Sequence, residues 1–402
     1  MPTKAKKIDQ SGSLLGGTLL VAGTAIGGGM LALPVLTADG GFFPSVFLYL
    51  LCWLFMASTG VLFVEIYLWN QKEVNIVSMA GYTLGKWGKA VAWIVYLYLF
   101  YSLSVAYVAG GGNVINDIFE ILIPWVSQWV GPWVFVLMFA PFVYVGAKAV
   151  DRINTLFMMG LIISFVIFVI LGICNIDARL LQRSNLPMAL LATPVLFTSF
   201  GFQGVVPTVT TYLNRNPKRA RLAIFIGSAI PFFVYLLWQT LILGLVPLDQ
   251  LEKARMLGQS AVYPLRYILD LPWLFRVGEF FAFFAVVTSF LGVTIGLLDF
   301  LSDGFKIEKT PLSRFFLCLL IYLPPLVMAT SRPMIFLDAL NYAGGFGCAL
   351  LLGLLPILMA WRGRYKKKFK NEQLLPGGRI LLLLLLLFIV FELIVMVIKL
   401  IE

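Results

Sequence analysis

Residues 23–34 read Gly23-Thr24-Ala25-Ile26-Gly27-Gly28-Gly29-Met30-Leu31-Ala32-Leu33-Pro34, inside a long apolar stretch near the start of the chain. In a regular helix each glycine costs about 1 kcal/mol against alanine, and here three stand side by side. Backbone groups freed at membrane depth are tolerated only where protein or a hydrated cavity satisfies them. A close helix crossing on small residues is the competing reading, but Gly27-Gly28-Gly29 is denser than a small-xxx-small contact needs. The stretch predicts a membrane helix that comes apart at its middle.

A second weak point follows at Thr198-Ser199-Phe200-Gly201-Phe202-Gln203-Gly204, with Pro207 just beyond. Two glycines, a buried amide and a proline again argue for an unwound segment.

The rest of the chain supplies the setting. Its 402 residues are 60% hydrophobic and 12% charged, with mean hydropathy +0.95, whereas soluble domains carry about 25% charged residues. So little charge cannot cover a globular surface, and most of the outside must face lipid. Runs of roughly 20 apolar residues fall near 13–36, 43–69, 89–112, 132–150, 153–174, 187–212, 220–246, 278–301, 312–330, 334–361 and 379–400. The expected architecture is all-α, with about eleven transmembrane helices in a single transmembrane domain. The last span shows no polar feature before Glu392 and reads as lipid-facing or peripheral.

The two breaks fall in spans one and six, the corresponding positions of a five-plus-five inverted repeat. The halves would be 13–174 and 187–361, with 379–400 as an additional helix. The connectors 70–88 and 247–277 are both long, mixed and helix-compatible, and occupy equivalent places. An unwound helix offers N–H groups at one half-helix terminus and carbonyls at the other. An amino-acid zwitterion carries both complementary charges on one carbon, so paired breaks can hold it without charged side chains.

The net charge of +11 does not point to nucleic acid, because the basic residues sit in short loops between apolar spans. With a cytoplasmic N-terminus, 22 Lys and Arg fall inside and 8 outside, which with an odd helix count puts the C-terminus outside. Lys4, Lys6 and Lys7, and the run from Trp361 to Lys370, then act as topology anchors. No A-x-A cleavage site follows the basic N-terminus, so the first helix reads as retained. Cys52, Cys174, Cys318 and Cys348 form no close pair and read as inert thiols. The absence of histidine removes imidazole bases and most transition-metal sites. No loop clusters the acids or nucleophile-base pairs of a membrane enzyme. A channel's polar stripe, a receptor's ligand-binding domain and a Walker motif are missing too. No cofactor and no obligate protein partner is evident. The expected partners are the solute, a co-transported H+ or Na+, and the lipid bilayer.

Gly23 to Pro34, Ala106-Tyr107-Val108-Ala109-Gly110-Gly111-Gly112, Ser199-Phe200-Gly201-Phe202 with Val206-Pro207, and Thr288-Ser289-Phe290-Leu291-Gly292-Val293 with Asp299 run along nearly the whole chain. In that order the sequence resembles the hydroxy/aromatic amino acid permease family of bacterial tyrosine- and tryptophan-specific permeases, most of all the tyrosine permeases. The resemblance implies a leucine-transporter-type fold in the bacterial inner membrane and symport of tyrosine and/or tryptophan with a cation. It implies that the substrate's carboxylate and amine contact Thr24, Ala25, Gly27, Gly28, Gly29, Ser199, Phe200, Gly201, Phe202 and Gln203. The aromatic side chain would lie among spans one, three, six and eight, with Tyr101, Tyr107, Phe200 and Phe202 as walls; ordinary helix packing is the alternative for each. The chain departs from the family pattern at Gln203, where the pattern has His. Glutamine keeps hydrogen bonding but cannot change charge.

Two ions compete for the coupling role. The Ala285 carbonyl and the Thr288 and Ser289 hydroxyls, at i, i+3 and i+4, share one helix face. Resemblance to sodium-coupled members of the wider fold pairs them with the Gly23 and Ile26 carbonyls as a sodium cage. The alternative is Ser/Thr back-bonding to the preceding turn. The family itself resembles proton symporters, and proton coupling needs a titrating group. Glu65 and Asp299, at the inner ends of spans two and eight, are the candidates, unless they only anchor or pair with Arg or Lys. Proton coupling is the expectation and sodium the close alternative.

Overall fold

A computed structural model describes residues 12–123, 125–267, 272–308, 310–369 and 373–401. The anchors Lys4, Lys6, Lys7 and Lys370 lie outside the described residues. Sixteen α-helices are formed among the described residues. The first span is split into α1 (Leu14–Ala25) and α2 (Leu33–Thr37). Then follow α3 (Phe42–Leu68), α4 (Ile76–Leu122), α5 (Val130–Val145) and α6 (Ala147–Gly172). After the short α7 (Leu186–Leu190), the sixth span is split into α8 (Thr193–Ser199) and α9 (Val206–Tyr212). Next come α10 (Pro217–Leu245), α11 (Leu248–Met256), α12 (Pro272–Phe305) and α13 (Pro311–Ser331). The tenth span runs as α14 (Ile335–Tyr342), a wide π-helical stretch Ala343–Leu354, and α15 (Leu355–Trp361), and α16 (Gly378–Ile401) closes the chain.

Eight helical segments are long and apolar enough to cross a bilayer. The expected first and sixth spans are each split into shorter helices, and α5, at the expected fourth span, has 16 residues. Chain-entry points explain where helices start. Ser13, Asn75, Asn185, Asn216 and Thr310 each accept a backbone N–H of the first turn. Pro217 and Pro311 stand where no N–H is needed.

The sequence placed the third span at 89–112, whereas α4 covers 76–122. A bend at Gly85 (φ 83°) joins the predicted connector to the span, since only glycine enters that region without strain. The far end was misjudged because Asn113, Asn116, Asp117 and Glu120 look like an exit from the membrane. They continue the helix, with Asn113, Asn116 and Asp117 half-buried and Glu120 exposed. The connector 247–277 contains α11 and a 3₁₀ turn Tyr263–Tyr267, as its composition implied.

In the core α1 and α3 pack along α10, α12 runs along α6 and α4, and α8 lies against the π-helical stretch. The last helix is only half as peripheral as its leucines suggested. Leu382, Leu385, Ile389, Glu392 and Met396 are buried at helical spacing, while Ile380, Leu383, Leu384 and Leu387 face outward. Gly345 and Gly353 let Met396 and Ile389 approach the backbone, the close packing that small residues permit between membrane helices.

Candidate functional site

The first break begins where α1 ends. Ile26 (φ −73°, ψ 111°) and Gly27 (φ −173°, ψ −156°) are extended, and Gly28–Leu31 resumes as a tight 3₁₀ turn. The second begins after Ser199. Phe200 (φ −91°, ψ 10°) and Phe202 (φ −134°, ψ −4°) leave helical geometry before the 3₁₀ turn Gln203–Val205. The opening residues of a helical turn have N–H groups with no partner inside it, and at both breaks side chains meet such groups, Ser289 Oγ at Gly28 and Gln203 Oε1 at Phe202.

The two breaks touch. A Cβ added to Gly29 would lie 3.1 Å from Ser199 Oγ and 3.3 Å from Ser199 Cα, closer than a side chain tolerates without a shift. Tyr235 of α10 ties them together. Its buried hydroxyl lies 2.6 Å from the Ala25 carbonyl oxygen and 2.8 Å from that of Ser199. Span eight supports the first break, for Gly28 N–H donates to Ser289 Oγ at 2.8 Å. The Tyr107 ring covers Gly28 so closely that an added Cβ would stand 2.8 Å from Cε1. Phe200 meets the rings of Tyr49 and Tyr235 edge-on, with centroids 6.2 and 5.1 Å away. Tyr49 in turn donates to Gln239 Oε1 (2.7 Å), whose amide donates to Thr37 Oγ1 (2.7 Å). None of these side chains carries a formal charge.

The structure thus brings Ala25, Gly27, Gly28, Gly29, Tyr107, Ser199, Phe200 and Ser289 to one place, with the Ala285 carbonyl beside Gly27. Other candidates sit elsewhere. The Thr24 hydroxyl is exposed and donates back to Leu20 O (2.7 Å). Tyr101 is half-buried and donates to Leu320 O (2.9 Å). Gly201 donates to Thr198 O (3.2 Å) near Leu352. Phe202 packs over Gly60. Gln203 faces α3, donating to Met56 O (3.1 Å) and Thr59 Oγ1 (3.0 Å) and accepting from Phe202 N (3.0 Å).

The ion candidates also separate. Thr288 Oγ1 donates back to Phe284 O (2.8 Å) and Ala285 O (3.2 Å), the geometry of back-bonding. Gly23 and Ile26 are half-buried. Glu65 is buried and gripped by the fork of Arg364, both contacts at 2.7 Å, with Leu374 N–H at 3.0 Å. Asp299 is half-buried and lies in the electrostatic surroundings of Tyr96.

Beside the first break a small recess, part of it open to the surroundings, lies between Val286, Leu31, Phe336, Asn113, Ser260 and Asp117. Asp117 pairs there with Arg266 (3.2 Å), which also meets Glu120 (3.2 Å). The other end of α1 is tied down, with Gly12 N–H donating to Tyr212 O (3.0 Å) and Arg219 donating to Gly12 O (2.7 Å). Sequence reasoning missed Tyr235, Arg364 and the Asp117–Arg266 pair. All three act on partners far along the chain, and no local pattern marks such contacts.

Comparison with known proteins agrees with this geometry. The sequence matches the tryptophan/tyrosine permease family over residues 10–396. The tyrosine-specific transport system 2 of Haemophilus influenzae is 34% identical over 94% of this chain and 95% of its own. The tryptophan-specific transport protein of the same organism is 32% identical over 89% of each chain. Among solved structures, MhsT in complex with L-phenylalanine superposes with a TM-score of 0.63 at 14% identity, over 96% of this chain and 98% of its own. A manganese transporter of Eremococcus coleocola gives 0.63 at 12%, over 96% and 85%. The fold is therefore of the leucine-transporter type, with broken helices one and six, and the chain belongs to the tryptophan/tyrosine permease family, a family of membrane transport proteins and not of enzymes.

Proposed function

We propose that this permease imports tyrosine or tryptophan by proton symport. The observation that carries the reading is the meeting of two unwound segments, bridged by Tyr235, with no charged side chain among them. A substrate carboxylate fits the N–H groups of Gly27, Gly28 and Gly29, exchanging places with Ser289 Oγ at Gly28. The ammonium group fits the carbonyls of Ala25 and Ser199. Each carbonyl oxygen has two lone pairs, and Tyr235 has one proton to give, so acceptor capacity remains for an ammonium. Tyr107 and Phe200 offer ring faces and edges to an aromatic side chain, worth about 0.5–1.5 kcal/mol beyond burial. Relatives named for tyrosine and tryptophan transport support the solute class.

In this reading the halves are 13–174 and 187–361, with 379–400 added outside the repeat. The chain lies in a bacterial inner membrane, N-terminus cytoplasmic and C-terminus periplasmic. The recess toward Asp117 and Arg266 is then the periplasmic entry, and the Gly12–Tyr212–Arg219 contacts close the cytoplasmic side. Back-bonding by Thr288 favours protons over a sodium cage at Gly23, Ile26, Ala285, Thr288 and Ser289.

Purified protein in proteoliposomes tests both parts. Labelled tyrosine uptake should be suppressed by unlabelled tyrosine and tryptophan and left untouched by leucine or alanine. It should rise with an imposed proton gradient and ignore a sodium gradient. Equal inhibition by leucine would overturn the solute, and stimulation by sodium alone would overturn the ion.

A further inference from the structure

Glu392 lies in the middle third of α16 and is fully buried. Neither of its carboxylate oxygens has a hydrogen-bond partner among the described residues. The hydroxyl of Thr193 lies beside it but donates to Leu190 O at 2.7 Å. The titratable groups facing it from the surrounding helices are the thiols of Cys52 on α3 and Cys348 on the π-helical stretch. On its own helix Lys399 lies two turns on and donates to Asn341 Oδ1 at 3.4 Å. The remaining neighbours, α8 and α15, contribute no ionisable side chain. No guanidinium or ammonium forms an ion pair with Glu392 among the described residues, in contrast to Glu65 with its Arg364 fork.

A charged carboxylate without partners in such a place is strongly disfavoured, and the group relieves this by binding a proton or by movement of its surroundings. An ionisable side chain inside a membrane bundle marks a functional path more often than a structural accident. The surroundings of Glu392 are the ones that count for transport. Thr193 is the first residue of α8, and α8 ends six residues later at Ser199, on the second break. At 1.5 Å per residue the distance along that helix is about 9 Å. Phe388, one turn before Glu392, packs its ring 5.9 Å from Phe197 of α8 and 5.1 Å from Phe55 of α3.

From this placement we infer that Glu392 is the proton-binding site of the transport cycle, loading and unloading its proton as α8 shifts against α16. The inference rests on the symport reading above and names the residue that performs it. One proton moves from water on one side onto a Glu392 carboxylate oxygen, and leaves that oxygen for water on the other side. No bond of the solute is made or broken. A neutral Glu392 fits the packing described here, and loss of the proton favours a state in which α8 has moved and water reaches the carboxylate. This helix lies outside the five-plus-five repeat, so the coupling site is an addition to the scaffold that binds the solute.

The test compares full-length wild type, Glu392→Gln and Glu392→Asp in proteoliposomes with labelled tyrosine and labelled tryptophan. Each pH unit is a tenfold difference in proton activity, so an inward gradient of about two units should stimulate wild-type uptake roughly tenfold or more. In Glu392→Gln the stimulation should vanish, with solute exchange at equal pH still present and no solute-driven proton movement seen by an entrapped pH dye. Glu392→Asp should keep the stimulation. Undiminished stimulation in Glu392→Gln would overturn the inference and leave proton symport standing. Wild-type transport indifferent to the proton gradient would overturn symport itself, and this inference with it. If Glu392→Gln does not insert, infrared difference spectra of the wild type decide. Adding solute should change the carbonyl band of a buried protonated carboxylic acid, and an unchanged band would overturn the inference.

Discussion

Tyr235 has one hydroxyl proton and two carbonyl oxygens within reach, Ala25 at 2.6 Å and Ser199 at 2.8 Å. Replacing it with phenylalanine keeps the ring against Phe200 and leaves both buried carbonyls short of a donor. An unsatisfied buried polar group costs about 1–3 kcal/mol, and 1.4 kcal/mol is a factor of ten. Tyr235→Phe should therefore lower uptake roughly 5- to 100-fold while the protein still inserts, as initial rates in proteoliposomes will show. Gly28→Leu should abolish uptake with insertion intact, because even a Cβ there meets the Tyr107 ring at 2.8 Å; normal uptake by that variant would contradict the site. The glycines were legible in the sequence because three adjacent helix-breakers have a cost that only an interrupted span removes. Tyr235 was not, since aromatics make up 15% of this chain and one more inside a helix carries no signal. Its partners stand 210 and 36 residues away.

Among elements, the second break is fixed by what it leans on. Gln203 uses its amide on α3 and on its own preceding N–H, and these bonds brace the second break. Gln203→Leu should lower the thermal midpoint in detergent, by the equivalent of about 1–3 kcal/mol for the groups left unsatisfied. Gln203→Asn, too short to reach all three partners, should fall between. The sequence showed a polar amide at a break but not which way it pointed, because rotation about an unwound segment has no period to read. α16 taught a similar lesson. Its unbroken leucines read as lipid-facing or peripheral, and only Gly345 and Gly353, some 40 residues earlier in the chain, reveal where one face docks. At the other end of the bundle Arg364 grips Glu65, both side chains being at most 3% exposed. Removing one partner of such a pair costs about 3–5 kcal/mol. Arg364→Ala should sharply reduce folded protein in membranes, and the neutral pair Glu65→Gln with Arg364→Met should recover much of it.

For the molecule as a whole, hydrophobic patterning gave the span positions to within a few residues in most cases. It failed where polar residues serve the interior, as at the end of α4. The position of the breaks within the repeat, first and sixth, was readable from glycine and proline alone. The approach of the two halves was not, because it depends on contacts between residues some 170 positions apart. The arrangement that results holds the two breaks in direct contact and leaves a recess beside the first of them. On the proposed function, solute binding by backbone groups requires only a local exchange of partner at Ser289, while the Ala25 and Ser199 carbonyls keep Tyr235. A structure determined with bound tyrosine or tryptophan is the most direct measurement of that claim. It should place the carboxylate within about 3 Å of backbone N–H groups in the stretch Gly27 to Gly29, with the ammonium on the Ala25 and Ser199 carbonyls. A solute held instead by the charged side chains of Asp117 and Arg266, with both breaks untouched, would contradict it.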